Sequence, residues 1–270
     1  MSGVGTELRA AVADFAAKPR VLVAVDFDGT LAPFVTDPLA ARALPGGLEA
    51  LKSAAALDGV SVALVSGRDL ATLAELTGFG PDDGVGLIGS HGAQTSLGDF
   101  PSPGDQPGAD LLDGQARARL ETLHKELAAI ASNYPGVRLE RKPAAVALHT
   151  RGLESSVGSA ALAAARELGE RFPGVHVMPG KDVVELAVLE ADKGRAVVNL
   201  ARATGSDATL YVGDDVTDER AFAALDPAAG DLTVKVGDGQ SAAVQRVPDP
   251  ESAVELLKLF VDARADHRHG

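Results

Sequence analysis

The chain alternates between two kinds of apolar spacing, and each change of spacing marks a new element. Val21-Leu22-Val23-Ala24-Val25 is a continuous apolar run of strand length, the pattern expected of a strand covered on both faces. Val60 to Val65, and the runs at 85–89, 208–213 and 232–236, read the same way. Between them, apolar residues three and four apart predict helices over 46–57, 69–77, 193–204, 217–225 and 250–263, with a leading helix over 6–18. Single helices between strands imply right-handed crossovers and a parallel sheet. Ligands bind such a sheet beyond the carboxyl ends of its strands.

In mid-chain the spacing changes. Residues 100–114 are rich in Pro, Gly and Asp and read as a linker. A helix over 115–132 precedes strands at 137–142 and 144–150, separated by Pro143 alone. A second helix over 154–172 leads to strands at 175–178 and 182–188. Hairpin spacing predicts an antiparallel sheet with helices on one face. The expected fold class is therefore α/β: a Rossmann-like parallel-sheet core made by 1–106 and 189–270, interrupted by an α+β domain inserted at 107–188.

Composition narrows the function classes. At 270 residues the chain can bury a substantial core. The absence of cysteine excludes disulfides, thiolate metal sites and a thiol nucleophile. A net charge of −13 argues against nucleic acid as a partner, and aromatics at 4% argue against base stacking. With no apolar run of membrane-spanning length and no signal-like leading segment, the expectation is a cytoplasmic, monomeric enzyme without a membrane partner.

The chemistry starts where the first strand ends, at Asp26-Phe27-Asp28-Gly29-Thr30. Two carboxylates converge there, and Gly29 allows the sharp turn that brings them together. Their mutual repulsion asks for a cation, and Mg²⁺ suits an all-oxygen donor set that must also hold phosphate. One carboxylate can then act as nucleophile while its neighbour handles a proton. Val65-Ser66-Gly67-Arg68 ends a second strand with a hydroxyl and backbone N–H groups suited to a phosphate oxygen, although taken alone that pattern is more often an N-cap. Asp192-Lys193-Gly194 puts a cation at a helix N-terminus, against the helix dipole, which marks Lys193 as a phosphate ligand. Val212-Gly213-Asp214-Asp215-Val216-Thr217-Asp218-Glu219 sets acids on another strand end, with Thr217 as the expected cap of the next helix.

These four clusters, in this order, resemble the haloacid dehalogenase superfamily of phosphohydrolases, and the insertion resembles its C2-type cap. The resemblance implies an aspartyl-phosphate formed on Asp26, with Asp28 as general acid and then base. It also implies that Thr30 holds the turn, that Ser66 and Lys193 stabilise the phosphoryl oxygens, and that Mg²⁺ is held by Asp26, Asp28 and Asp214 with Asp215 and Asp218 close by.

Parity along the inserted strands puts Val146, Leu148, Val184 and Leu186 on one face and Glu140, Lys142, His149, Arg151 and Glu185 on the other, spaced by Ala145 and Ala147. Periodicity by itself favours a solvent-facing polar layer there. The wording of these strands adds more. Glu140-Arg141-Lys142, His149-Thr150-Arg151 and Gly180-Lys181-Asp182-Val183-Val184-Glu185 resemble the trehalose-6-phosphate phosphatase family, as do Asp26 to Pro33, Val65 to Arg68, Ser90 to Ala93 and Val212 to Glu219. That resemblance implies hydrolysis of trehalose 6-phosphate, with Glu140, Lys142, Arg151, Lys181 and Glu185 on the disaccharide or its phosphate and Arg68 also on the substrate. His91 either joins them or braces its loop. The rival within the class is a phosphatase for sucrose phosphate or a hexose phosphate. A phosphomutase is disfavoured, because too few residues follow Thr30 to hold a domain before Pro45.

Overall fold

The computed structural model describes residues 3–35, 37–96, 114–142, 144–180, 182–188 and 192–267, the side chain of Pro38 excepted. The chain divides into two compact units, 1–98 with 192–270, and 99–191. The linker expected over 100–114 lies almost wholly outside the described residues.

The first unit is built on β1 (Val21–Asp26), β2 (Val60–Val65), β3 (Val85–Gly89) and β4 (Gln94–Thr95), then β9 (Ala208–Gly213), β10 (Leu232–Val236) and β11 (Gln245–Val247) of the second chain segment. They form one seven-stranded sheet in the order β11-β10-β9-β1-β2-β3-β4, parallel except for the β3–β4 pair. All six residues of β1 are buried, as a central parallel strand requires. Alternation assigns their side chains to different layers. Val21, Val23 and Val25 join the larger apolar cluster with Leu8, Leu51 and Phe260, while Leu22 and Ala24 join the other with Val197, Tyr211 and Phe222.

Helices α1 (Thr6–Ala16), α2 (Gly47–Ala55), α3 (Leu70–Thr77) and α8 (Pro250–His267) supply buried residues to the first cluster, and α6 (Lys193–Thr204) and α7 (Asp218–Ala224) to the second. The expected core strands and helices are all present. The edge strands β4 and β11 were not legible, because two or three residues carrying Gln, Thr and Arg show no apolar period.

The second unit holds α4 (Gly114–Ser132), β5 (Arg138–Arg141), β6 (Ala145–His149), α5 (Ser155–Arg171), β7 (His176–Gly180) and β8 (Val183–Ala187), with an antiparallel sheet in the order β5-β6-β8-β7. Pro179 sits inside β7, which is tolerated because β7 is an edge. The central strand β6 is covered on both sides: Ala145 and Ala147 are as buried as Val146 and Leu148.

The first unit is tied together by Arg264 on α8, which is 3% exposed. Its Nη1 donates to the carbonyls of Ala16, at 2.7 Å, and of Lys18. Its Nη2 donates to Pro19 O at 2.7 Å and Asp58 O at 3.0 Å. One guanidinium thus satisfies the end of α1, the approach to β1 and the loop after α2. Arg264→Met should lower unfolding stability by about 3 kcal/mol through the orphaned carbonyls. Urea titration followed by circular dichroism checks this, with a loss below about 1 kcal/mol counting against the clamp.

Candidate active site

Asp26 is the last residue of β1 and is 3% exposed. The chain then turns tightly: the N–H groups of Leu31 and Ala32 both donate 2.9 Å to Phe27 O, and Gly29 N donates 2.7 Å to Ala32 O. Gly29 has φ +80°, and a Cβ built there would lie 2.1 Å from Asp214 Oδ2. Only glycine lets the β1 turn approach the acidic loop after β9 this closely. Thr30, wholly buried, donates from Oγ1 to Asp214 Oδ1 at 3.2 Å, joining the same two loops.

Lys193, the first residue of α6, is 2% exposed and donates 2.7 Å to Asp26 Oδ1 and 2.8 Å to Asp218 Oδ1. Asp192 caps the helix, accepting from Gly194 N at 2.9 Å and Arg195 N at 3.3 Å. Burial would lower the Lys193 pKa, but Asp26 and Asp218 outweigh it and hold the ammonium above its ordinary value. Asp26 moves the other way from a normal carboxyl. Burial pushes its pKa well up, Lys193 opposes, and the Asp218 and Asp214 charges add to the rise. For Asp214, burial and then Asp218 raise the pKa to about 6.

Asp218 is wholly buried and fully engaged. Its Oδ1 accepts from Lys193 and from Tyr211 Oη at 2.7 Å, and its Oδ2 accepts from Asp214 N at 2.9 Å and Asp215 N at 3.0 Å. It shapes the acidic loop from within. Asp215 Oδ1 accepts from Thr217 N at 2.8 Å, Thr217 Oγ1 at 2.6 Å and Asp218 N at 3.2 Å, while Thr217 makes no side-chain cap bond. The capping role expected of Thr217 thus falls to Asp215, because the loop presents the Asp215 carboxylate to the first N–H groups of α7.

Ser66, at the end of β2, is wholly buried, and its Oγ accepts from Arg68 N at 3.1 Å. Arg68 extends to Asp28, with Nε and Nη2 each donating at 2.6 Å to one carboxylate oxygen. Ser90 and His91 both adopt left-handed backbone, with φ of 50° and 54°, costly for residues with a Cβ and held by Ser90 N to Arg68 O at 2.7 Å and His91 N to Ser66 O at 2.9 Å. Asp26, Asp28, Arg68, His91, Lys193 and Asp215 line one cavity of about 300 Å³, together with Gly67 and Phe34.

The donor set fits a hard divalent ion. Among the described residues, carboxylate oxygens of Asp26, Asp214 and Asp218 lie within 4.8 Å of one another. Burial first, and then the neighbouring carboxylates, raise the pKa of Asp26 and Asp214 despite Lys193, and a divalent ion among these oxygens would offset that cost.

In the second unit, register puts Glu140 and Glu185 opposite Ala147 on its two sides, so the three share one face of the sheet. Lys142 Nζ donates to Glu185 Oε2, and His149 Nε2 lies 2.8 Å from Glu140 Oε2. Arg151 is exposed in the turn after β6. Lys181 lies outside the described residues.

Three residues escaped sequence reasoning. Lys235 Nζ donates to Asp214 O, fixing the acidic loop from below, and is 6% exposed. The signal was a lone cation in the apolar run Leu232-Thr233-Val234-Lys235-Val236. Tyr211 was legible as a strand residue but not as a donor to Asp218. Phe34, 74% exposed at the cavity, follows Pro33 with nothing in the pattern to mark it.

The family profile described as trehalose-phosphatase matches residues 24–252. A trehalose-phosphate phosphatase of Mycobacterium avium is 36% identical over 252 residues, 88% of this chain and 61% of that protein. The chain spans between 19% and 61% of the length of the first curated relatives it matches. The solved structure of the Aspergillus fumigatus trehalose-6-phosphate phosphatase superposes with a TM-score of 0.65 at 27% identity, covering 94% of this chain and 97% of that one. A haloacid dehalogenase-like hydrolase from Bacteroides thetaiotaomicron shares the fold, with a TM-score of 0.62 at 15% identity over 88% of this chain and 98% of that one.

Protons and a cation compete for these carboxylates. With Asp214 titrating at about 6, its proton must leave before a metal binds below that pH. Binding of a divalent ion that Asp214 ligates, tested with Mg²⁺, should therefore weaken roughly tenfold between pH 7 and pH 5. Isothermal titration calorimetry at the two pH values measures this, and a pH-independent affinity would remove Asp214 from the binding set.

Proposed function

The chain belongs to the trehalose-phosphatase family, and we propose that it hydrolyses trehalose 6-phosphate to trehalose and inorganic phosphate by way of an aspartyl-phosphate. The observation that carries the chemistry is Asp26: a buried carboxylate at a strand end, opening on a cavity, with Lys193 2.7 Å from one oxygen.

In this reading Asp26 attacks phosphorus in line as the phosphorus–oxygen bond to the sugar breaks. Asp28 gives a proton to the departing sugar oxygen, and in the second half draws one from the water that attacks the phosphoenzyme. Lys193, fixed by Asp218, places its charge where the phosphoryl oxygens gather, and the Ser66-Gly67 turn supports them. Asp26, the Asp28 carbonyl and Asp214 would hold Mg²⁺, with Asp215 and Asp218 shaping the loop around it. When bound, the ion neutralises charge on the transferring group. Thr30 keeps the two loops in register through Asp214.

We assign the phosphate end of the substrate to the residues of the first unit, and the resemblance supports assigning the sugar end to the polar row of the second. Glu140, Lys142, His149 and Glu185 combine acceptors and donors beside small alanines, which suits a polyhydroxylated ligand. Arg151 and Lys181 complete the proposed set. The 107–188 segment thereby acts as the cap, and a soluble monomer acting in the cytoplasm is the setting we infer. A phosphatase for sucrose phosphate or a hexose phosphate remains the rival, and it predicts a different order of substrates.

Phosphate release should be fastest with trehalose 6-phosphate in a panel that includes sucrose 6-phosphate and glucose 6-phosphate. It should vanish with EDTA and fall by about 10⁴-fold or more in Asp26→Asn, as for loss of a covalent nucleophile. A preference for either competitor would replace the substrate. Glu185→Ala should reduce trehalose 6-phosphate turnover at least about tenfold while sparing p-nitrophenyl phosphate. Equal losses on the two would make that carboxylate structural.

A further inference from the structure

Arg68 and Lys193 both line the cavity, and the two cations are used differently. Lys193 bonds the nucleophile, whereas Arg68 bonds Asp28. The contact is a two-pronged fork: Nε donates to Asp28 Oδ2 and Nη2 to Asp28 Oδ1, both at 2.6 Å. Such parallel bonds fix the plane as well as the position of a carboxylate. Both partners are partly shielded, with 13% of the Arg68 side chain and 29% of the Asp28 side chain exposed.

The base of the fork is itself rigid. Arg68 N donates 3.1 Å to Ser66 Oγ, and Arg68 O accepts from Ser90 N at 2.7 Å, within the strained Ser90–His91 turn. The guanidinium carbon lies 5.8 Å from the ring centre of Phe27, the wholly buried residue between the two aspartates. Each of these contacts constrains the arm that reaches Asp28. Among the described residues the Asp28 carboxylate accepts from Arg68 alone, and its backbone stands in the tight turn after β1, bridged to Ala32.

We propose that Arg68 is the positioning residue of Asp28, acting on the reaction through that carboxylate and not as a ligand of the substrate's phosphate. The proposal rests on the reading of Asp28 as the group that protonates the leaving oxygen. That proton transfer requires one Asp28 oxygen to face the sugar oxygen within hydrogen-bond reach. The fork sets where Asp28 stands before substrate arrives, and one of its two bonds must give way when that oxygen carries the proton. A residue that bound phosphate directly would instead help every phosphate ester to the same degree.

Leaving-group dependence separates these roles. A sugar alkoxide is a poor leaving group and needs the proton, whereas p-nitrophenolate departs without it. Arg68→Ala should lower kcat/KM for trehalose 6-phosphate by about 10²-fold, the scale of general-acid catalysis, and that for p-nitrophenyl phosphate by less than about fivefold. Inhibition by inorganic phosphate should stay within about twofold of the parent, since the phosphate contacts are untouched. Arg68→Lys keeps the charge without the fork, so it should recover only part of the lost rate and guards against a folding defect in the alanine variant. Asp28→Asn is the control and should show the same contrast between the two esters. Equal losses on both esters, or weaker phosphate inhibition, would make Arg68 a phosphate ligand and overturn the proposal. No loss on either would overturn it too. If Asp28→Asn shows no contrast, the reading of Asp28 itself fails, and the proposal fails with its premise.

Discussion

The Lys193 ammonium, enclosed by Asp26 and Asp218, is the contact on which the site depends. It joins the end of β1 to the starts of α6 and α7. A lysine this buried is tolerated only when paired, and a carboxylate this buried is costly without a cation. Removing either partner from such a pair typically costs about 3–5 kcal/mol, because the other is left charged and dry. The node is therefore a structural constraint as well as the centre of the candidate site. Asp218 bears most of the structural side, since its two oxygens accept from Lys193, from Tyr211 and from the Asp214 and Asp215 N–H groups.

Around that node the sheet does the positioning. β1 lies between β9 and β2, so three strand ends deliver Asp26, Asp214 and Ser66 to one edge, and β10 adds Lys235 beneath the acidic loop. Glycines allow close approach at two of these junctions. A Cβ at Gly29 would strike Asp214, and one at Gly194 would strike Arg220 O at 2.4 Å where α6 meets α7. The second unit solves a different problem. Its central strand is buried on both sides, yet register keeps Glu140 and Glu185 flanking Ala147 on a common face, each paired with a cation or a histidine.

Much of this was legible beforehand. Continuous apolar runs identified the parallel strands, since burial on both faces leaves no polar alternation, and hairpin spacing separated the inserted unit. Asp26 and Asp28 stood out as paired carboxylates at a strand end, and Lys193 because it breaks a local rule at a helix start. What escaped detection did so for reasons of length or direction. β4 and β11 are too short to show a period, and Tyr211 and Lys235 looked like ordinary strand positions. Thr217 seemed the natural cap, but only the path of the loop decides which oxygen meets the helix N–H groups.

The sequence by itself thus determined the order of elements, the family and the residue types at each strand end, because these follow from periodicity and from the motifs that the strand ends carry. Only the tertiary structure decided which charges pair. Lys193 chose Asp26 and Asp218, and Arg68 chose Asp28 across a gap of 40 residues. Such choices depend on distances between strand ends, which the parallel register sets and which no local pattern encodes.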